Sequence, residues 1–325
     1  PIIAASSILM PHKHVGMSLA FSDNIEGPWT EYKGNPIIED AAIPGIRWFE
    51  ETGRFHLWGH QKNKQSEMWT SKDGLNFAYH STSIAAKNIG TRNATYARAY
   101  EFPLQRYGSK YIMLYSGFIE DRGIRCVWLA HSKDGETWTQ EKTPLVEPIE
   151  GENNDLYGPS LLQWQGRNFV VYQDHTAYRG GNVKYVELDQ QLNPVGDKGE
   201  RHLLIDPVAD SPISNRWRGC EFYREGDTIY MYASGGDEPR AIVYATAKVG
   251  DADTQKSRKM EAGKSQVSPR GDKREKQASS AALDDILQEF GLRTVYETTF
   301  DEPLQMIRED DCRSIPPATR EFAGP

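Results

Sequence analysis

Three carboxylates stand at or just ahead of strand-like repeats: Glu101 in YEFPLQR, Glu221 in CEFYREG, and Asp155 before YGPSLLQ. If a fold brings two such groups together, one can protonate a leaving oxygen while the other activates water or attacks directly. That division of labour is what breaking a glycosidic bond requires. Each acid also has a structural alternative. Glu101 has Arg98 and Arg106 nearby as ion partners, and Glu221 is flanked by Arg218 and Arg224. The adjacent pair Asp174-His175 suits metal ligation, acid–base work or a simple hydrogen bond. Arg98, Asp174, His175 and Trp48 are the candidates for touching a ligand. Trp48, with Trp58 and Trp69, offers flat apolar faces to a sugar ring, although two of the three are expected in the core. Asp73 and Asp134 lie in Ser-Lys-Asp-Gly turns and read as turn formers rather than catalysts.

The elements that must position these residues show as a repeat. GIRWFEETGRFHLWGH is followed by SEMWTSKDGLNFAYHS, and YEFPLQRYGSKYIMLYSG by RCVWLAHSKDGETWTQ. YGPSLLQWQGRNFVVYQDH leads into NVKYVELDQQLNPVG, and GCEFYREGDTIYMYASGG into AIVYATAK. Period-two alternation of β-branched and aromatic residues in GRFHLWGH, KYIMLYSG and DTIYMYAS predicts strands. The units recur roughly every 50 to 60 residues, the size of a four-stranded propeller blade with its loops. MSLAFSDNIEGPWTEYKGNPII supplies a further unit whose inner strand is either missing or formed by IIAASSILM. The expectation is an all-β, five-bladed β-propeller over residues 1–249, a flexible linker over 250–279, and a short mixed C-terminal segment over 280–325. The linker has no aromatic residue. In the last segment a helix is expected from Ser280 to Phe290, and a strand in TVYETTF.

The totals narrow the function classes. A net charge of -8 over 325 residues gives no electrostatic reason to expect nucleic acid as a partner. No apolar stretch approaches the roughly 20 residues a membrane helix needs. The opening PIIAASSILMPHKH lacks a basic leader and is a poor secretion signal, which points towards the cytoplasm. Cys126, Cys220 and Cys312 form no CxxC pair, and the 8 histidines show no ligand spacing, so neither metal nor cofactor is expected. Oligomeric state is not readable.

Several motifs resemble the five-bladed glycosidase superfamily of glycoside hydrolase family 43 and its sucrose- and fructan-cleaving relatives. SDNIEGPWTEYKGNPII resembles the end of that family's first blade. Tyr100-Glu101-Phe102-Pro103 resembles its Glu-Gly-Pro, and Tyr157-Gly158-Pro159 with Tyr172-Gln173-Asp174-His175 resembles its fourth blade. The resemblance covers residues 15 to 248 and implies a propeller in which Glu101 is the general acid. It also implies inverting hydrolysis of a pentose-containing or other small glycan. The family's base, an Asp on the first inner strand, has no match, and the position of its second Asp reads Ile43-Pro44. Asp40, Asp155 or Glu221 would have to supply the second carboxylate. The alternative is a non-catalytic carbohydrate-binding propeller, or the sugar-recognition part of a larger biosynthetic enzyme. A sialidase-like propeller is a weaker match: SKDGETW is one residue short of that family's box.

Overall fold

The structure is a computed structural model that describes residues 2–10, 14–25, 27–175, 182–196, 199–205, 217–235, 241–248 and 292–294. Its strands form five four-stranded antiparallel sheets, the blades of a propeller. Blade one holds β1 (Ile2–Met10) and β2 (His14–Ser22), with β3 (Thr30–Glu31) and β4 (Ile38–Glu39) both paired to β2. Blade two holds β5 (Ala42–Phe49), β6 (Arg54–His60), β7 (Ser66–Ser71) and β8 (Ala78–Ile84). Blade three holds β9 (Ala94–Leu104), β10 (Ser109–Ile119), β11 (Ile124–Ser132) and β12 (Thr139–Gln140). Blade four holds β13 (Leu156–Trp164), β14 (Arg167–Asp174), β15 (Asn182–Leu188) and β16 (His202–Ile205). Blade five holds β17 (Trp217–Glu225), β18 (Thr228–Gly235), β19 (Ala241–Lys248) and β20 (Leu292–Thr294).

IIAASSILM is thus the inner strand of blade one. The outermost strand of blade five comes from the C-terminal segment, where Leu292–Thr294 pairs with Ala245, Thr246 and Ala247. The helix expected over 280–290 and the linker over 250–279 lie outside the described residues, as does most of TVYETTF.

The inner strands pack in series, β1 on β5, β5 on β9, β9 on β13 and β13 on β17. The Tyr232 hydroxyl donates to the Ile25 carbonyl and ties blade five to blade one. The alternation read from sequence builds the interfaces between blades. In β10, Tyr111, Met113 and Tyr115 join a cluster with Phe49, Trp58 and Met68 of blade two. Their neighbours Ile112 and Leu114 face the other way, into a cluster with Leu161, Val170 and Tyr172 of blade four. A third cluster joins Met17 and Ile38 to Leu57 and Trp69. Trp58 is fully buried, and Trp69 is 5% exposed, so two of the three candidate platform tryptophans are core, as expected.

Asp73 and Asp134 are turn formers. Asp134 Oδ1 accepts from the backbone N–H of Glu136 (2.9 Å) and Thr137 (2.8 Å), while Ser132 Oγ accepts from Gly135 (2.8 Å). Asp73 repeats the pattern with Leu75 and Asn76, and these bonds hold its carboxyl well below the usual range. The blade-three turn also reaches across to blade two, where the Gly135 carbonyl lies 3.2 Å from His56 Nδ1.

One local feature recurs at the start of the inner strands. Pairing is interrupted between Ala42 and Gly45 in β5, between Thr95 and Arg98 in β9, and between Tyr157 and Ser160 in β13. Within each bulge one residue has a left-handed backbone: Ile43 (φ 60°), Tyr96 (φ 60°) and Gly158 (φ 54°). For the first two, which carry large side chains, that costs on the order of 1–3 kcal/mol each. Bulges re-aim side chains and increase local twist. Here they stand at the ends of the strands that meet around the axis.

Candidate functional site at the starts of the inner strands

Asp155 lies one residue before β13 and forms a parallel bridge to Arg125, near the start of β11. Its carboxylate is 3.1 Å from Arg125 Nη1 and 3.6 Å from His175 Nδ1. The His175 backbone N–H donates to the Asp155 carbonyl (2.9 Å), fixing the two residues to each other. Tyr157 completes the group. The Arg125 guanidinium sits 3.7 Å above its ring, and the rings of His175 and Tyr96 meet it edge-on at 5.0 and 5.2 Å. The bulges that strain Tyr96 and turn at Gly158 bring the starts of β9 and β13 close enough for these contacts.

The cluster is polar, half-buried and incompletely hydrogen-bonded among the described residues. Arg125 Nε and Nη1, Asp155 Oδ1 and His175 Nδ1 are all buried without a hydrogen bond among the described residues. The Arg125–Asp155 contact is therefore one of charge rather than an aligned hydrogen bond. Burial lowers the pKa of Arg125, and the charge of Asp155 opposes that shift. Buried polar atoms in proteins nearly always find partners, and apart from the Arg125–Asp155 ion pair these have none among the described residues, which makes the cluster a candidate place for a ligand or water. Both unfilled donors and an unfilled acceptor are present. A hydroxyl group, which donates and accepts at once, satisfies both.

Glu221, the fifth residue of β17, forms an ion pair with Arg98 of β9. Arg98 Nη1 also donates to the Tyr96 carbonyl (3.3 Å), which links this pair to the wall of the cluster. The partner of Glu221 is thus Arg98, rather than the flanking arginines. Arg224 donates instead to the Gly226 carbonyl (3.0 Å), and the side chain of Arg218 lies outside the described set.

Glu101 is placed differently from the expectation. The motif YEFP reads as a strand start, but β9 begins at Ala94, and Glu101 lies five residues beyond Tyr96, roughly 17 Å at about 3.3 Å per residue. Its side chain is 54% exposed and pairs with Arg47 (3.6 Å) and Lys110 (3.8 Å), not with Arg98 or Arg106. Lys110 also binds Glu51, whose carboxyl this contact and the Tyr111 hydroxyl lower to about 2. Trp48 stands at the same level of β5, 38% exposed, with its ring against Phe55 at 4.9 Å. Asp174 is 4% exposed and accepts from Asn153 and Lys184, so it is not a surface for ligand.

Reasoning from sequence missed Arg125, Tyr96 and Tyr157. One signal was present: Asp40, Asn93 and Asp155 each precede a left-handed residue by three positions, at Ile43, Tyr96 and Gly158. An Asp or Asn repeated at that offset marks where these three inner strands begin.

No family model and no curated protein matches the chain. Solved structures do. A thermostable family-43 glycoside hydrolase aligns with TM-score 0.53 and 19% identity over 65% of this chain and 70% of its own. The chain has the five-bladed propeller fold of family-43 glycoside hydrolases. An α-L-arabinofuranosidase from Lactobacillus brevis gives TM-score 0.51 at 13% identity, over 67% of this chain and 71% of that one.

Proposed function

We propose that the chain is a glycoside hydrolase acting on a pentose-containing glycan, with the sugar held by Arg125, Asp155, Tyr157 and His175. The observation that carries this reading is the set of buried, unsatisfied donors and acceptor on Arg125, Asp155 and His175. A polyol fills such a set better than an ion would, because each hydroxyl both donates and accepts. Tyr157 and Tyr96 add aromatic surface for a sugar face. The fold shared with family-43 hydrolases supports the class. In this reading Asp155 activates water and Glu221 delivers a proton to the leaving oxygen. Inversion requires the two carboxyl groups to stand roughly 6.5–9.5 Å apart, with room for water between them. In that role Glu221 must take up a proton and part from Arg98, whose charge otherwise holds it ionised. Glu101, far along β9, takes no part.

Turnover of arabino- and xylo-oligosaccharides by the wild type and two variants tests this. Asp155→Asn and Glu221→Gln should each lower kcat by about 100-fold or more while the chain stays folded. Wild-type kcat in both variants would remove these acids from the mechanism.

A second reading has its own support. Each candidate acid is paired with an arginine: Asp155 with Arg125, Glu221 with Arg98 and Glu101 with Arg47. Such pairs suit recognition better than proton donation. A propeller of this kind binds glycan without cleaving it. Saturable binding by the wild type with no product after prolonged incubation selects this reading.

A further inference from the structure

Blade four contains a buried polar network that the proposed chemistry does not use. The side chains of Glu152 and Asp174 are 2% and 5% exposed, and Lys184 Nζ reaches both, at 3.2 and 2.8 Å. Arg201 Nε lies 3.4 Å from Glu152, and the Tyr172 hydroxyl donates to it at 2.8 Å. Taking this many charges out of water costs about as much as their attraction returns, so stability alone does not account for the arrangement.

What the network does is pin the loop that carries Asp155. Asp174 Oδ1 accepts from both the backbone N–H (2.9 Å) and the side-chain amide (3.0 Å) of Asn153. Glu152 Oε2 accepts from the backbone of Ile149 (3.1 Å), closing the loop on itself. The anchor thus falls two residues before Asp155. Beyond it, the Arg125 backbone N–H donates to Asn154 (2.8 Å) and that of His175 to Asp155 (2.9 Å). Asp174 is also the last residue of β14 and the chain neighbour of His175. One carboxylate therefore sets both halves of the Asp155–His175 pair.

We propose that Asp174, held in place by Lys184, is a positioning residue for the sugar-binding cluster, acting through Asn153 on Asp155. This rests on the reading of Asp155 and His175 as the glycan site. Its sign is a local effect on that cluster, distinct from any general loss of stability.

Asp174→Asn keeps the shape and removes the charge, and Lys184→Met removes the cation that holds it. Both should weaken binding of arabino- and xylo-oligosaccharides and lower their turnover by roughly 100-fold, the order that a 1 Å misplacement of a reacting group costs in rate. Hydrogen exchange gives the second readout. The backbone N–H groups of Arg125 and His175 should exchange about tenfold faster in both variants, as losing one charge-assisted hydrogen bond implies. Those of Leu57 and Trp69 in blade two should not change. Unchanged exchange at Arg125 and His175, or equal acceleration in blade two, would overturn the proposal. If Asp174→Asn does not fold, Lys184→Met decides. If the wild type binds no pentose glycan, the site reading fails, while the exchange result still decides whether Asp174 positions Asp155.

Discussion

At the scale of single residues, the balance between burial and partnership separates structure from site. His56 is buried and His60 half-buried, and both have ordinary partners: His56 lies beside the Gly135 carbonyl, and His60 Nδ1 is 3.1 Å from the Ala42 carbonyl. Burial lowers both pKa values, that of His60 from 6.5 to about 4, with Lys64 adding to the effect. The folded chain then binds fewer protons than the unfolded one between those two values. Stability from this source is complete above pH 6.5 and declines as the pH falls towards about 4. Urea midpoints should drop between pH 7 and pH 5, and His60→Gln should flatten that slope. An identical slope in the variant would assign the pH dependence to other groups. The cluster at Arg125, Asp155 and His175 contrasts with this, because among the described residues its buried atoms have charge contacts but no hydrogen bonds of the kind His56 and His60 have.

At the scale of elements, turns and bulges carry the design. The Ser-Lys-Asp-Gly turn of blade three fits against blade two because Gly135 has a left-handed backbone (φ 77°) and no side chain. A Cβ there would lie 2.2 Å from Phe49 Cε1. Gly135→Ala should therefore destabilise the chain by about 1–3 kcal/mol, seen as a lower urea midpoint with an unchanged slope. A neutral effect would mean that Phe49 can move aside without cost. Such turns were readable from sequence, since Asp and Gly at fixed offsets have a local mechanism. The strands of β6, β10 and β18 were readable for the same reason, their alternation being dense in aromatic and β-branched residues. The start of β9 was not. Ala94, Ala97 and Ala99 are buried small residues that give little strand signal, so the eye falls on Tyr100-Glu101-Phe102 further along. Reading the strand from Tyr100 is six residues late and passes over Tyr96. Arg125 was hidden for a different reason: it reaches Asp155 through a bridge between β11 and the β13 lead-in, a contact of 30 positions that no local pattern encodes.

At the scale of the whole molecule, five blades packed in series leave the inner-strand starts at one end and their exits at the other. Asp155, Tyr157, His175 and Tyr96 gather among the starts, whereas Glu101 and Trp48 stand well along β9 and β5. The division bears directly on function, because a glycan cannot engage both groups through a single short sugar unit. The measurement that tests the account most directly is a crystal structure of the chain with a bound arabino- or xylo-oligosaccharide. The account predicts sugar hydroxyls within hydrogen-bond distance of Asp155 Oδ1 and Arg125, with a ring face against Tyr157. Sugar bound instead beside Glu101 and Trp48, with the Arg125 cluster untouched, would contradict it.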